Sequence, residues 1–328
     1  MTPLSTPSDP VSVVIPAWNV ELFIARAIDS ALAQTRPPDE IIVVDDGSTD
    51  GTADIARGYG DRVRYLHQPQ TGAAEARNRG IAEASGRWVA FLDADDEWLP
   101  DKLNRQMQLL ARNPDIVWAY SNYFLRHTDT DRQTLSHTSQ QAIHLLAGKD
   151  FFDDYLLAYA AGAPNSMTTM IIRRDILLAV GSFQPGRKWA QDADLALRIA
   201  YQNPKVAYWP HPLSIYQAGR AESITLRNRT DVPLRCEFLL RHLELSRQAG
   251  RGDRFIPCAK HLASRWINEI GKDPAANLSP FLNQVPELLT PAQRIQLRLR
   301  KWFPRFGPWF LSAYFKVKNQ ILSRRVGP

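Results

Sequence analysis

Cysteine is almost absent from this 328-residue chain: Cys236 and Cys258 are the only two, and they form no C-x-x-C pair. That excludes a disulfide scaffold and a thiolate zinc site, and it fits a reducing compartment. The seven histidines show no metal-ligand spacing and read as structural or exposed. No apolar run reaches the roughly 20 residues that a helix needs to cross a bilayer. The N-terminus, MTPLSTPSDP, has no basic segment followed by an apolar one. Residues 1–10 therefore read as a short disordered leader rather than a signal peptide, and a cytoplasmic protein is expected.

Acidic residues are missing from one stretch. Residues 291–328 hold nine basic side chains and no acidic one, which leaves the other 290 residues at a net −3 within a total of +6. A mildly acidic body with a basic tail is not the pattern of a nucleic-acid binder, so no nucleic-acid partner is expected.

What is present is alternation. Short β-branched runs at 11–15, 41–44, 63–66 and 88–92 are separated by helix-like stretches. One helix follows Asn19, which is placed to cap it; others end near Arg57 or cover 73–84 and 100–112. Such alternation implies right-handed crossovers, hence an α/β fold with a mainly parallel central sheet flanked by helices. Strand-like segments at 116–124 and 168–172 and a helix at 194–201 continue the pattern, with a polar Thr- and Ser-rich stretch at 127–140 expected to be a mobile connection. After about residue 220, amphipathic helices at 234–247 and 259–270 form a C-terminal helical appendage.

Ligands of parallel sheets bind beyond the carboxyl ends of the strands. The unusual polar clusters sit there: Pro16-Ala17-Trp18-Asn19, Asp45-Asp46 and Asp93-Ala94-Asp95-Asp96. Asp93 and Asp95 share a side-chain direction at a strand-to-loop junction, and such a pair repels anions unless a cation intervenes. Mg²⁺ or Mn²⁺, held by one or two carboxylates and by phosphate oxygens, resolves that repulsion for a diphosphate substrate. Alone, the same residues also fit a solvated acidic loop with Asp96 as a helix cap. Asp45-Asp46-Gly47-Ser48 has two readings as well, acceptors for a base or ribose and an Asx turn with an N-cap.

Read jointly, VSVVIPAWN (11–19), IIVVDDGSTDGT (41–52), GAAEARNRGI (72–81), RWVAFLDADD (87–96) and QDADLALR (191–198) resemble the family 2 glycosyltransferases, in the family's order and over residues 11 to about 217. The resemblance implies the A-type nucleotide-diphospho-sugar transferase fold. It implies a catalytic domain at 11–220, with a nucleotide-sugar half at 11–100 and an acceptor half at 101–220, followed by a helical region at 221–328. On this likeness Pro16, Ala17 and Trp18 wrap the nucleotide base and Asp46 holds it, while Arg77 stands near the nucleotide. Asp93 reaches the ribose or sugar, Ala94 lies between the two carboxylates, and Asp95 binds the Mn²⁺ or Mg²⁺ that bridges the diphosphate. Asp192 matches the general base of an inverting, uridine-diphosphate-dependent transfer to an acceptor hydroxyl. A base on a separate segment can approach the sugar face opposite the leaving group, and a metal on the diphosphate removes the need for a general acid. The sequence departs from many relatives at Gln191, where they carry Glu. His211, in Pro210-His211-Pro212, is a further candidate on the acceptor side.

A processive synthase would carry Q-x-x-R-W, but Leu262 precedes Arg265-Trp266 at the glutamine position. A sugar-phosphate nucleotidyltransferase would open with a Gly-rich loop, which Pro16-Ala17-Trp18-Asn19 is not. The alternative from another class is a non-catalytic nucleotide-sugar-binding module, which would tolerate loss of Asp192. In the tail, Thr290-Pro291-Ala292-Gln293 has the form of a capping box, and Ile295, Leu299, Trp302 and Phe303 share one helical side beside arginines. Two readings stay open: a basic amphipathic element lying on an anionic membrane surface, and a helical cap packed on the catalytic body. The first would suit a lipid-linked glycan acceptor in polysaccharide or cell-envelope synthesis.

Overall fold

The computed structural model describes residues 9–302, apart from 129, 131, 137, 139, 164–165, 188, 219–230 and 274 and the side chains of 301 and 302. Most of the leader, the boundary expected near 220 and the tail beyond 302 therefore lie outside the described residues. The chain divides into two compact units, residues 1–227 and 228–328.

The first unit runs β1 (Val11–Ala17), α1 (Ile24–Leu32), β2 (Glu40–Asp45), α2 (Thr52–Arg57), β3 (Arg64–His67), α3 (Ala73–Glu83), β4 (Trp88–Phe91), β5 (Glu97–Trp98), α4 (Lys102–Arg112) and β6 (Trp118–His127). It continues with β7 (Gln133–Leu135), α5 (Gln140–Leu146), β8 (Phe151–Phe152), α6 (Tyr155–Ala160), β9 (Ile171–Arg173), α7 (Arg174–Ala179), α8 (Gln191–Gln202) and β10 (Val206–Ala218). The sheet order is β3-β2-β1-β4-β9-β6-β10-β5, with β7 on β6 and β8 on β10. Four of the seven pairings along that path are parallel, which makes it an α/β fold with a mainly parallel central sheet. Every residue of β1 is buried, as helices on both faces require.

Register explains why the polar clusters converge. β1 pairs with β2 through Ala17↔Asp45 and with β4 through Val14↔Phe91, so Trp18, Asp46 and Asp93 leave adjacent strands at one sheet edge. Two features depart from the plain alternation. β9 inserts antiparallel to both β4 and β6, and β10 is a 13-residue strand despite Pro210 and Pro212. Register shifts between Trp209 and Pro212 and between Pro212 and Ile215 absorb the missing N–H donors. The polar stretch at 127–140, expected as a connection alone, contains β7.

Asn19 does not cap α1, as the sequence suggested. The cap position is Phe23, without a side-chain bond. Asn19 takes a left-handed conformation at φ 48°, and its Oδ1 accepts from Thr49 N–H at 2.8 Å while its own N–H donates to Ser48 Oγ at 3.0 Å. The loop after β1 is thereby laced to the loop after β2, a tie that Val20 N–H to Thr52 Oγ1 (2.9 Å) and Gly51 N–H to Glu21 (2.7 Å) extend.

The second unit holds α9 (Val232–Gln248), α10 (Gly252–Ile270), α11 (Ser279–Gln284) and α12 (Pro291–Trp302). Phe238, Phe255, Leu262, Trp266 and Phe281 are buried in it, and Phe238 meets Trp266 edge-on at 5.9 Å. Both cysteines are buried, and neither is in a disulfide. Burial pushes the Cys236 thiol up to about 12, which makes it a packing residue rather than a nucleophile. Among the described residues no helix is long and apolar enough to cross a membrane.

Candidate active site

Helix α3 is the hub of the site. Gly72 begins it at φ 117°, a conformation that favours glycine, and Asp46 receives Gly72 N–H at 2.7 Å and Thr71 N–H at 2.9 Å. Gln68 Nε2 donates to the same carboxylate at 2.8 Å. Asp46 thus organises the turn into α3 while one oxygen keeps acceptor capacity. Asp45 serves the Asx-turn reading: it accepts Ser48 N–H at 2.9 Å and the Tyr65 hydroxyl at 2.6 Å. Gly80 lets α3 approach β1 closely, since a Cβ there would lie 2.3 Å from Val14 Cγ1.

From α3, Arg77 reaches across the site. Its Nη2 donates to Asp93 Oδ1 at 2.5 Å and its Nη1 to Gln191 Oε1 at 2.8 Å. Both side chains of the Arg77–Asp93 pair are largely enclosed, at 10% and 22% exposure. The neighbouring Asn78 brackets the Phe183 backbone, donating to its carbonyl at 2.8 Å and accepting from its N–H at 2.9 Å. One helix thereby fastens the end of β4 to the start of α8, with Arg77 and Gln191 114 positions apart in the chain.

Helix α8 is held in turn from below. Asp194, fully buried, pairs with Arg198 at 2.8 Å and Arg187 at 3.5 Å, and Arg198 also donates to the carbonyls of Val180 (2.5 Å) and Ser182 (2.6 Å). Ala190, ahead of α8, sits at φ 53°, a strained position for a residue with a Cβ. Asp192 follows, half-buried. Burial pushes its pKa up; the Ala193 N–H at 2.8 Å opposes that, Asp93 adds to it and Arg77 lowers it.

The carboxylates meet at Tyr216. Burial raises its pKa far above that of a free phenol, and so do the charges of Asp96, Asp93, Asp95 and Asp192 together. The charges of two segments distant in the chain are thus felt at one phenol. Asp96 is almost wholly enclosed and accepts Gln217 N–H at 2.8 Å through Oδ1, while its Oδ2 has no hydrogen-bond partner. Its pKa is driven well up by burial, then by Asp95 and Asp93, against the Gln217 N–H and the Thr168 hydroxyl.

Of the residues singled out in the sequence, Pro16 and Ala17 end β1 and are buried, Trp18 is 39% exposed beyond them, and Ala94 is buried between Asp93 and Asp95. His211 is exposed, with its ring 5.9 Å from that of Trp209. Tyr216, Gln217 and Asn78 were not anticipated. The first two lie on a strand that prolines disguise, whereas Asn78 stood inside the GAAEARNRGI segment and was readable there.

A divalent cation fits the chemistry of this cluster. Asp93, Asp95, Asp96 and Asp192 all raise the pKa of Tyr216, and the Arg77 guanidinium between Asp93 and Gln191 is the cation seen against them. Among the described residues no group of three His, Cys, Asp or Glu is arranged to hold a metal. An ion bound by one or two carboxylates and completed by substrate phosphates and water needs no such group.

Comparison with known proteins bears on the family and the fold. The putative teichuronic acid biosynthesis glycosyltransferase TuaG of Bacillus subtilis is 39% identical over 123 residues, 36% of this chain and 48% of that protein. The uncharacterized glycosyltransferase YibD of Escherichia coli is 36% identical over 145 residues, 43% of this chain and 42% of that protein. The chain thus spans less than half the length of either relative. In fold, the crystal structure of Staphylococcus aureus TarS 1-349 in complex with UDP-GlcNAc matches with a TM-score of 0.66 at 18% identity, covering 91% of this chain and 88% of that one. Glucosyl-3-phosphoglycerate synthase of Mycobacterium tuberculosis, in complex with Mn²⁺, UDP and glucosyl-3-phosphoglycerate, matches with a TM-score of 0.51 at 24% identity, covering 73% and 80%. Residues 12–180, just over half of the chain, match the profile of glycosyl transferase family 2, and the chain belongs to that family.

Proposed function

We propose that this protein is a metal-dependent inverting hexosyltransferase that moves a sugar from a uridine-diphosphate carrier to an acceptor hydroxyl. One observation carries the reading: Arg77 donates to Asp93 at the end of β4 and to Gln191, the residue before Asp192, so one guanidinium ties the donor-side acid to the start of the helix that holds the base. The donor base lies against Pro16, Ala17 and Trp18 and near Asp46. Asp93, steered by Arg77, faces the ribose or sugar. Asp95 would hold Mn²⁺ or Mg²⁺, and the cation would neutralise charge on the diphosphate. Asp192 accepts the proton of the attacking hydroxyl; its raised pKa brings it nearer to the working range of a general base, as such catalysis requires. TarS and glucosyl-3-phosphoglycerate synthase crystallised with UDP-GlcNAc and with Mn²⁺ and UDP, which supports the donor class and the metal.

The acceptor side follows from chemistry and from the relatives. TuaG's assignment to teichuronic acid biosynthesis and the acid-free tail support a glycan, lipid-linked in polysaccharide or cell-envelope synthesis, as acceptor. The tail at 291–328 would then touch the anionic inner face of the cytoplasmic membrane. Residues 11–220 carry the transfer, and 221–328 serve the acceptor or membrane.

The test is binding and turnover measured separately. UDP should bind in the presence of Mn²⁺, weakly in Asp95→Ala and unchanged in Asp192→Asn. UDP release from UDP-sugars should disappear in both. If Asp192→Asn releases UDP as fast as the parent, the base assignment is wrong. If the parent binds UDP and turns over no UDP-sugar, the nucleotide-sugar-binding module is the better reading.

A further inference from the structure

Helix α12 is fixed along one side. Thr290 and Gln293 close a reciprocal capping box, Thr290 N–H to Gln293 Oε1 at 2.9 Å and Gln293 N–H to Thr290 Oγ1 at 3.2 Å. Gln293 Nε2 also donates to Ser264 Oγ of α10 at 2.9 Å. Leu297 is buried, and Arg300, 8% exposed, donates to the carbonyl of Gly271 at 2.9 Å and to that of Asp273, just past the end of α10. A cation at a helix C-terminus satisfies orphan carbonyls and meets the negative end of the dipole. Arg300 is therefore structural, although the sequence counts it among the basic tail.

These contacts set the rotation of α12 and so decide what faces outward. At 100° per residue, Arg294, Ile295, Arg298 and Leu299 fall on the side away from Gln293, Leu297 and Arg300. All four are exposed, Ile295 at 60% and Leu299 at 48%. Two large aliphatic side chains one turn apart thus stand beside two arginines one turn apart. Singly, such aliphatics need no explanation; paired with cations on a helix whose other face is committed, they form an interfacial pattern. An open groove on α10, lined by His261, Ser264, Arg265, Asn268, Glu269 and Lys272, adjoins it through the Ser264–Gln293 contact. Arg265 and Lys272 are exposed there and extend the positive charge. A second copy of the same face would set like charges against each other, which disfavours self-association.

The geometry points to this outer face of α12, with the cationic edge of α10 beside it, as the surface that lies on an anionic lipid leaflet. Ile295 and Leu299 enter the headgroup boundary, and Arg294, Arg298, Arg265 and Lys272 meet the lipid phosphates. This rests on the membrane contact proposed above and assigns it to residues, leaving Arg300 out.

Sedimentation of the full chain with vesicles tests it, comparing phosphatidylglycerol-containing vesicles with pure phosphatidylcholine at near-physiological salt. The parent should sediment with the anionic vesicles alone. Arg294→Ala/Arg298→Ala should reduce partitioning about thirty-fold, taking each lost cation near an anionic surface at its usual worth. Ile295→Ser/Leu299→Ser should reduce it by about ten-fold or more. Circular dichroism and UDP binding should stay at parental levels in both. If both double variants sediment like the parent while removal of 303–328 abolishes binding, the membrane reading survives and this face is wrong. A parent that ignores anionic vesicles yet binds UDP overturns the face and the membrane contact together, and leaves the transferase reading intact.

Discussion

Arg77 holds Asp93 at 2.5 Å, and the other end of its guanidinium holds Gln191 at 2.8 Å, so a single side chain couples the donor edge of the sheet to the helix that carries Asp192. Truncation to Ala would leave the enclosed Asp93 charge uncompensated next to three other carboxylates. Arg77→Ala should cost about 2–4 kcal/mol of stability and weaken Mn²⁺-dependent UDP binding. Arg77→Lys should restore only part of either, because an ammonium cannot span two acceptors as a planar fork does. Urea unfolding and UDP titration measure both; a Lys variant equal to the parent would contradict the bridging role.

Gln191 completes that bridge without adding charge, since its Nε2 also donates to the Arg187 carbonyl at 2.6 Å. Gln191→Glu would lose this second bond and place a negative charge beside Asp192. Asp192 already has a raised pKa, from burial first. An extra negative neighbour moves it further up, so the acid limb of the pH profile of kcat/KM should shift to higher pH. An unmoved limb would mean that Asp192 is not the group whose ionisation limits turnover.

How far the sequence foretold this site depends on the residue. Asp93 and Asp95 stood at a strand end that a hydrophobic run made visible, Arg77 and Asp192 were indicated by the family resemblance, and hydrophobic runs located β1, β2 and β4 closely. Asn19 misled because a polar residue before an amphipathic run signals a cap, whereas tertiary contacts with Ser48 and Thr49 claimed it for loop-to-loop lacing. β10 was hidden because prolines argue against a strand, and its bulges are invisible without the pairing partner. The antiparallel insertion of β9 is likewise a matter of long-range pairing, which local periodicity does not encode.

Tyr216 is the residue most clearly missed. Its ring lies 6.0 Å from that of Tyr123, and burial together with the charges of four carboxylates keeps its hydroxyl protonated, so it is available as a donor to a charged group of the loaded site. Loss of a hydrogen bond to a charged group costs about 1.5–3 kcal/mol. Tyr216→Phe should therefore slow UDP-sugar turnover by about ten-fold or more, with UDP affinity little changed. Turnover at the parental rate would reduce Tyr216 to a packing residue.

Asp96 makes the protein's stability depend on pH in a stated direction. Its folded pKa lies well above the unfolded value, which is about 3.9. The folded state thus holds an extra proton, and stability falls as pH rises from about 4 through the folded pKa. Asp192, shifted the same way, adds to the slope. Asp96→Asn keeps the acceptor for Gln217 N–H and replaces the other carboxyl oxygen by a neutral amide beside the Thr168 hydroxyl. Melting curves in EDTA should show Asp96→Asn more stable than the parent above neutral pH and with a shallower pH slope. Parallel curves for the two proteins would show that Asp96 is not the group responsible.

Gly80 tests whether α3 must lie as close to the sheet as it does. Ala is the better helix former by about 1 kcal/mol, so propensity alone favours Gly80→Ala. Against it, the new Cβ would stand 2.3 Å from Cγ1 of Val14, a fully buried side chain on a central strand with a stiff χ1. Overpacking of this kind costs about 1–3 kcal/mol, and here no flexible chain end can yield, so the upper part of that range applies and outweighs the propensity gain. Relief by lifting α3 would also withdraw Arg77 from Asp93 and Gln191. Gly80→Ala should therefore lower the melting temperature and weaken UDP binding together. A variant that melts higher than the parent, with unchanged affinity, would show that α3 has room to move and that its tight seat on β1 is not what positions Arg77.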